Sequence, residues 1–382
     1  MSITHLRKSA LALAAALMLT TTLATHTTSQ AQTDVIQIGL ITKTETNPFF
    51  VKMKEGAQAN ADKLGAKLLT AAGKFDGDNE SQVTAIENMV NAGVKGILIT
   101  PSNTKAIVPA IQKARAAGVV VIALDTPTDP QTATDALFAT DNLKAGVLIG
   151  QYAKASFGSK PVKIATLDLA PGITVGQLRH DGFLQGFGIK EGDPSIVCEQ
   201  DTQGDQSKGQ TAMENCLTKD PDINLVYTIN EPAAFGAYTA LDKAGKAKGV
   251  MIVSVDGGCA GVEGVVAGKI AATSQQYPLK MAALGVAAIV NFAKTGVKPT
   301  GYTDTGVTLI SEAPMTGVDS QGGVFGVQSC WGTPSSTALD AATKADAAAG
   351  IKMSSATMAA TGAATMMATG SATMMATMAA TK

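Results

Sequence analysis

Between residues 35 and 276, short β-branched runs alternate with segments of helical length, and the alternation occurs twice. In the first set, residues 35–41 (VIQIGLI), 96–100 (GILIT) and 119–125 (VVVIALD) are separated by helical patterns over about 48–64 and 102–117. In the second, residues 162–169 (VKIATLDL), 224–230 (NLVYTIN), 250–256 (VMIVSVD) and 270–276 (IAATSQQ) enclose helices over about 175–187 and from 230 to about 244. Near-continuous apolar strands are buried on both faces, which is the condition of a parallel sheet covered by helices. The expected class is therefore α/β, with two doubly wound parallel-sheet lobes. Each lobe presents its ligand face at the carboxyl ends of its strands.

Those ends carry the chemistry. The segments finish in Asn47 with Phe49 and Phe50, in Asp125, Asn230, Asp256 and Gln276, and Arg179 lies on the helix after the 162–169 strand. Carboxylates accept hydroxyl protons, Arg and amides pair with the same oxygens, and aromatic rings cover C–H faces. Together they describe a site for a small polyhydroxylated ligand. Each residue also has a plainer reading. Either Asp alone could cap a helix, Arg179 could be a solvated helix charge, and Asn230 precedes Glu231-Pro232 as an ordinary N-cap. Phe49 and Phe50 could be core, although aromatic residues are only 4% of the chain and two stand together directly after Asn-Pro.

Charge excludes one partner class. With 30 Lys+Arg against 31 Asp+Glu and only 16% charged residues, no basic footprint exists for a polynucleotide. At the start, His5, Arg7 and Lys8 precede an apolar run over 10–19 and the small residues Ser29 and Ala31, the three parts of an export signal with cleavage expected after Ala31. The run is short of the roughly 20 apolar residues that span a bilayer, and no Cys is near for a lipid anchor. The four cysteines, Cys198, Cys216, Cys259 and Cys330, suit two disulfides in an exported chain. They allow three pairings, of which Cys198 with Cys216 and Cys259 with Cys330 is favoured. No C-x-x-C pair supports a redox or zinc centre. DGDNE at 76–80 lacks the glycine and glutamate of a calcium loop. No GxxxxGK[ST], GxSxG or HExxH string is present, so the sequence calls for no metal, cofactor or catalytic residue. His180 is read as surface or as support behind the site. Residues 333–382, rich in Ala, Thr and Met, are set outside the fold as low-complexity sequence.

Over about 34–330 the chain resembles the type I periplasmic sugar-binding proteins, the capture subunits of bacterial ABC importers. The resemblance is carried by TNPFF (46–50), ALDT (123–126), ATDN (139–142), GQLRHDGF (176–183), TINE (228–231), VDGG (255–258) and ATSQQYP (272–278), in that order. RHDGF and DGGC look most like the fructose-binding branch. The resemblance implies that Asn47, Asp125, Arg179, Asn230, Asp256 and Gln276 hydrogen-bond a monosaccharide while Phe49 and Phe50 cover its faces. It implies a signal peptide at 1–31, an N-terminal lobe of 32–140 plus 277–303, a C-terminal lobe of 141–276 plus 304–332, and three crossings near 139–142, 275–277 and 302–305. It also implies a monomeric, non-enzymatic periplasmic protein that delivers sugar, fructose first, to inner-membrane permease and ATPase subunits. Two departures stand out. Thr126 occupies the place of a second Arg in ribose binders, and no second-lobe aromatic stands near Gly204.

Other classes compete. An exported sensor presenting its ligand to a chemoreceptor or kinase would share every site residue. A transcriptional regulator would need a helix-turn-helix where the export signal stands. A glycosidase would need an acid, and Arg179 beside Asp125 and Asp256 would keep both ionised.

Overall fold

The computed structural model describes residues 35–351; the expected export signal and the sequence after Ile351 lie outside the described residues. The first lobe is a sheet of β1 (Gln37–Thr42), β2 (Lys67–Ala72), β3 (Gly96–Ile99), β4 (Val120–Leu124), β5 (Ala136–Ala139) and β11 (Gly301–Asp304), in the order β11-β5-β4-β3-β1-β2 and parallel throughout. Helices α1 (Pro48–Leu64) and α9 (Pro278–Thr295) cover one face and α2 (Asn79–Asn91) and α3 (Val108–Ala116) the other. Alternation explains the two layers: Leu40 packs with Phe50, Met53 and Met281, while its neighbour Ile41 packs with Ile86, Ile99 and Ile111. Helix α3 starts at Val108 rather than near Ser102, because the Asn103 side chain accepts from the Lys105 and Ala106 amides and holds a turn there.

The second lobe repeats the plan. Strands β6 (Ile164–Asp168), β7 (Ile196–Asp201), β8 (Leu225–Thr228), β9 (Met251–Asp256), β10 (Ala272–Gln275) and β12 (Thr308–Ile310) run in the order β12-β10-β9-β8-β6-β7. All pairs are parallel except β10 with β12. Helices α4 (Asn142–Phe157) and α5 (Thr174–Phe187) cover one face. The other face is covered by α6 (Gln206–Lys219), α7 (Glu231–Lys243), α8 (Cys259–Val266), α10 (Gly323–Ser329) and α11 (Ala338–Ala348).

Helix α11 corrects the expectation that everything from 333 is outside the fold. Ala338, Ala342 and Asp346 recur every four residues on one buried face. The two alanines join the second-lobe core, and Asp346 accepts from the Gly323 and Val324 amides at the start of α10. Small side chains let the helix approach closely, so a composition that looks featureless still packs. Two crossings between the lobes fall at 139–142 and 275–278. The third lies between Asp304 and Thr308, later than 302–305, because Tyr302 to Asp304 are paired in β11. Disulfides join Cys198 to Cys216 and Cys259 to Cys330. Among the described residues no helix is long and apolar enough to cross a membrane.

Candidate functional site

The strand ends of the two lobes face one another, and local chemistry fixes each group there. Asn47 caps α1: its Oδ1 accepts from the Phe49 amide at 3.0 Å, and Pro48 supplies the fixed φ of the first helical turn. That cap aims Phe49 and Phe50 inward, edge to face with centroids 5.4 Å apart. Asn230 caps α7 in the same way, accepting from Ala233 at 3.1 Å while its Nδ2 donates to the Gly204 carbonyl at 3.0 Å. Asp125 follows β4 at φ 63° and Asp256 ends β9 at φ 144°. Side chains other than glycine rarely occupy that half of backbone space, and such positions concentrate at functional sites.

Arg179 joins the lobes. Its Nε donates to Asn142 Oδ1 at 2.8 Å and Nη1 to the Ile229 carbonyl at 3.0 Å. Nη2 lies 3.6 Å from Asp125 Oδ1 in the first lobe and Nη1 3.7 Å from Asp256 Oδ1 in the second. The backbone of α5 is brought in by contact with α4, where a Cβ on Gly146 would collide with the Arg179 carbonyl. Asn142 completes the link by donating to the Asp125 carbonyl at 3.1 Å.

All eight residues singled out above, Asn47, Phe49, Phe50, Asp125, Arg179, Asn230, Asp256 and Gln276, line one interior cavity of about 30 Å³. Lys43 and Asp76 line it too and escaped the sequence reading, since a lone Lys after a strand and an acidic loop both read as solvated. Lys43 Nζ lies 3.6 Å from Asp76 Oδ1, with the side chains 1% and 8% exposed. Burial pushes the Asp76 carboxyl above its ordinary range, against the pull of Lys43. Burial likewise raises Asp256 to about 6, opposed by Arg179 and by the Gln276 amide, which donates to it at 2.8 Å. Behind it, Glu231 accepts from Gly257, Gly258 and Thr273 and is pushed up to about 8 by burial and the Asp256 charge. Asp76 Oδ1, Asp125 Oδ1 and Gln276 Oε1 are buried acceptors without a hydrogen-bond partner.

An outer chamber of about 500 Å³ shares Asn47, Phe50 and Asp76 with this cavity and is walled by Phe75, Phe235 and Trp331. The second lobe thus does contribute an aromatic, from a different place than expected. Trp331 stands edge to face on Phe49 at 5.7 Å, and its Nε1 donates to the Asp256 carbonyl at 3.1 Å. The Cys259–Cys330 bridge pins the neighbouring residue. Thr126, where a second Arg was expected, donates to Asp125 Oδ2 at 2.8 Å. His180 lies outside the cavity, between Asp168 and Glu191 at 2.9 Å each. Among the described residues no cluster of three or more His, Cys, Asp or Glu is placed to hold a metal.

The periplasmic binding protein domain profile matches residues 38–297. The chain belongs to the periplasmic binding protein family. The ribose import binding protein of Salmonella typhimurium is 34% identical over 253 residues, covering 65% of this chain and 82% of the relative. The D-allose-binding periplasmic protein of Escherichia coli is 28% identical over 266 residues, covering 68% and 85%. An ABC transporter periplasmic solute binding protein from Actinobacillus succinogenes with bound D-allose superposes with a TM-score of 0.65 at 29% identity, over 72% of this chain and 97% of that one. These relatives of the periplasmic binding protein fold are transport binding proteins, not enzymes.

Proposed function

We propose that this chain is the periplasmic capture subunit of a sugar ABC importer, taking one monosaccharide into the cleft and passing it to the permease and ATPase subunits in the inner membrane. Fructose is the first candidate, from the RHDGF and DGGC strings, with ribose and allose next because relatives carry those names. One observation carries the reading: three buried acceptors without a hydrogen-bond partner, on Asp76, Asp125 and Gln276, belong to residues lining a cavity that Lys43, Arg179 and two Asn side chains also line. Buried acceptors without partners are costly, and a ligand rich in hydroxyl protons satisfies them.

The cavity is about the share of liquid that one water molecule occupies. A sugar therefore enters by parting of the lobes at the three crossings and is enclosed as they close. Differential affinity drives closure, because one lobe offers half the groups and the closed form adds the rest. Isothermal titration of the full chain against fructose, ribose, allose, xylose, galactose and myo-inositol tests this. Saturable binding of one neutral sugar is expected; heat traces flat across all six would end the reading.

A further inference from the structure

We propose that the outer chamber is a second ring-binding subsite, and that the substrate is a disaccharide with one sugar in the inner cavity and the other in the chamber. The inference rests on the capture reading above and extends its ligand. The lobes are already engaged: besides the ion pair from Arg179 to Asp125, Thr104 Oγ1 donates to the Gly172 carbonyl at 3.1 Å and Thr174 Oγ1 to the Pro127 carbonyl at 2.5 Å. In that engaged state the inner cavity holds about 30 Å³, yet about 500 Å³ stays open beside it with walls from both lobes. Pockets that take whole small ligands run from roughly 300 to 1,000 Å³. The chamber is thus a formed space and not the gap left by parted lobes.

The two spaces border each other along Asn47, Phe50 and Asp76, which line both. Gly204 stands at the same border: it lines the chamber, and its carbonyl accepts from Asn230 of the inner cavity. A Cβ on it would come 2.8 Å from Asn230 Nδ2 and 3.4 Å from Leu169 Cδ2, both of the inner cavity. The residue there has no side chain, so none is placed to wall the first sugar off from the second. Its neighbour Gln203, just after β7, has φ 50°. Among the described residues only Asp125, Gln203 and Asp256 combine a side chain with positive φ. Asp125 and Asp256 line the inner cavity and Gln203 lines the chamber, so the backbone strain that gathers at functional sites is shared between the two.

The walls suit a neutral sugar ring. Phe75, Phe235 and Trp331 give aromatic surface for its C–H faces, and Phe75 is 50% exposed, apolar area that a bound ring would cover. The amides of Gln203 and Gln206 add donors and acceptors for hydroxyl groups at the ring edge. Lys52, Lys74 and Lys208 are balanced by Asp76, Asp205 and Glu231, so the lining has no net charge to favour an ionic group. A purely apolar group would match the rings and leave the amides unanswered. Because the second ring is tied to the first, its overall freedom is already lost when the first is held, and its contacts add to affinity almost undiminished.

The test titrates the full chain with the six neutral sugars named above and then with glucosides of the one that binds, one glucoside for each of its hydroxyl positions. Expected is one glucoside that binds about ten- to hundredfold tighter than the free sugar. Two variants at exposed positions of the chamber wall, Phe75→Ala and Thr333→Trp, then locate the gain, with melting curves to confirm that each is folded. Phe75→Ala should cut the glucoside's advantage about tenfold by removing one aromatic face. Thr333→Trp should fill the chamber and erase the advantage while the free sugar binds as in wild type. A free sugar that binds as tightly as, or tighter than, every one of its glucosides overturns the proposal. So does an advantage that both variants keep in full. Either result leaves sugar capture standing and fails the second subsite alone, whereas flat traces for all six sugars fail the capture reading and this one with it.

Discussion

The two lobes share one strand order and are held together differently. In each, the fourth strand ends in an Asp at positive φ, Asp125 after β4 and Asp256 at the end of β9, and an Asn caps a helix beside it. The first lobe has no covalent staple among its described residues. The second carries both disulfides, and it also sends Arg179 and Trp331 across to the first. A common topology therefore places the site, while covalent bracing is concentrated in the lobe that reaches over.

The comparison can be broken at its strongest joint first. Arg179→Met should abolish detectable sugar binding and cost about 3–5 kcal/mol of stability, because Asp125 and Asp256 lose their shared cation; chemical denaturation and titration measure both. If the two lobes were independent, only the second would soften. Next, Cys259→Ser/Cys330→Ser should cost about 2–4 kcal/mol. Amide exchange should quicken in α8, α10 and α11 and stay unchanged in α2 and α3; uniform quickening would contradict bracing confined to one lobe. Third, Asp125→Asn and Asp256→Asn should each weaken sugar binding by about 1–3 kcal/mol. Equal losses would support the internal symmetry, and wild-type isotherms for both would remove the strand-end carboxylates from the site.

A further effect belongs to the second lobe alone. Burial opposes charge on His180, yet hydrogen bonds and charges from Asp168 and Glu191 outweigh it and raise the ring to about 9 from an ordinary 6.5. A raised imidazole stabilises the fold fully below pH 6.5 and loses that contribution as pH rises through about 9. Unfolding curves at the two ends of that window should show a fall in wild type that His180→Gln flattens. An unflattened slope would place the proton elsewhere.

What the sequence revealed follows burial. Strands such as GILI and VVIAL are wholly buried and read as continuous apolar runs, so the α/β class and the strand-end polar groups were legible. The edge strands KLLTAA and IVCEQD are partly exposed and carry no such run. Helix α11 was hidden because alanine at every fourth position resembles low-complexity sequence until a partner surface is known. Lys43 and Asp76 were hidden for the converse reason: charged residues are mostly solvated, and only the fold shows these two enclosed. Asn142 looked like part of a crossing, and its bond to Arg179 spans 37 positions, beyond the reach of any local pattern.

Trp331 is the only tryptophan in the chain, and it sits at the seam, its ring against Phe49 of one lobe and its N–H on the Asp256 carbonyl of the other. The protein thus carries a single indole fluorophore, at the point where relative lobe movement would change its surroundings. Parting of the lobes would hydrate the indole and red-shift its emission, so opening and closing can be followed in real time by light, without any attached label.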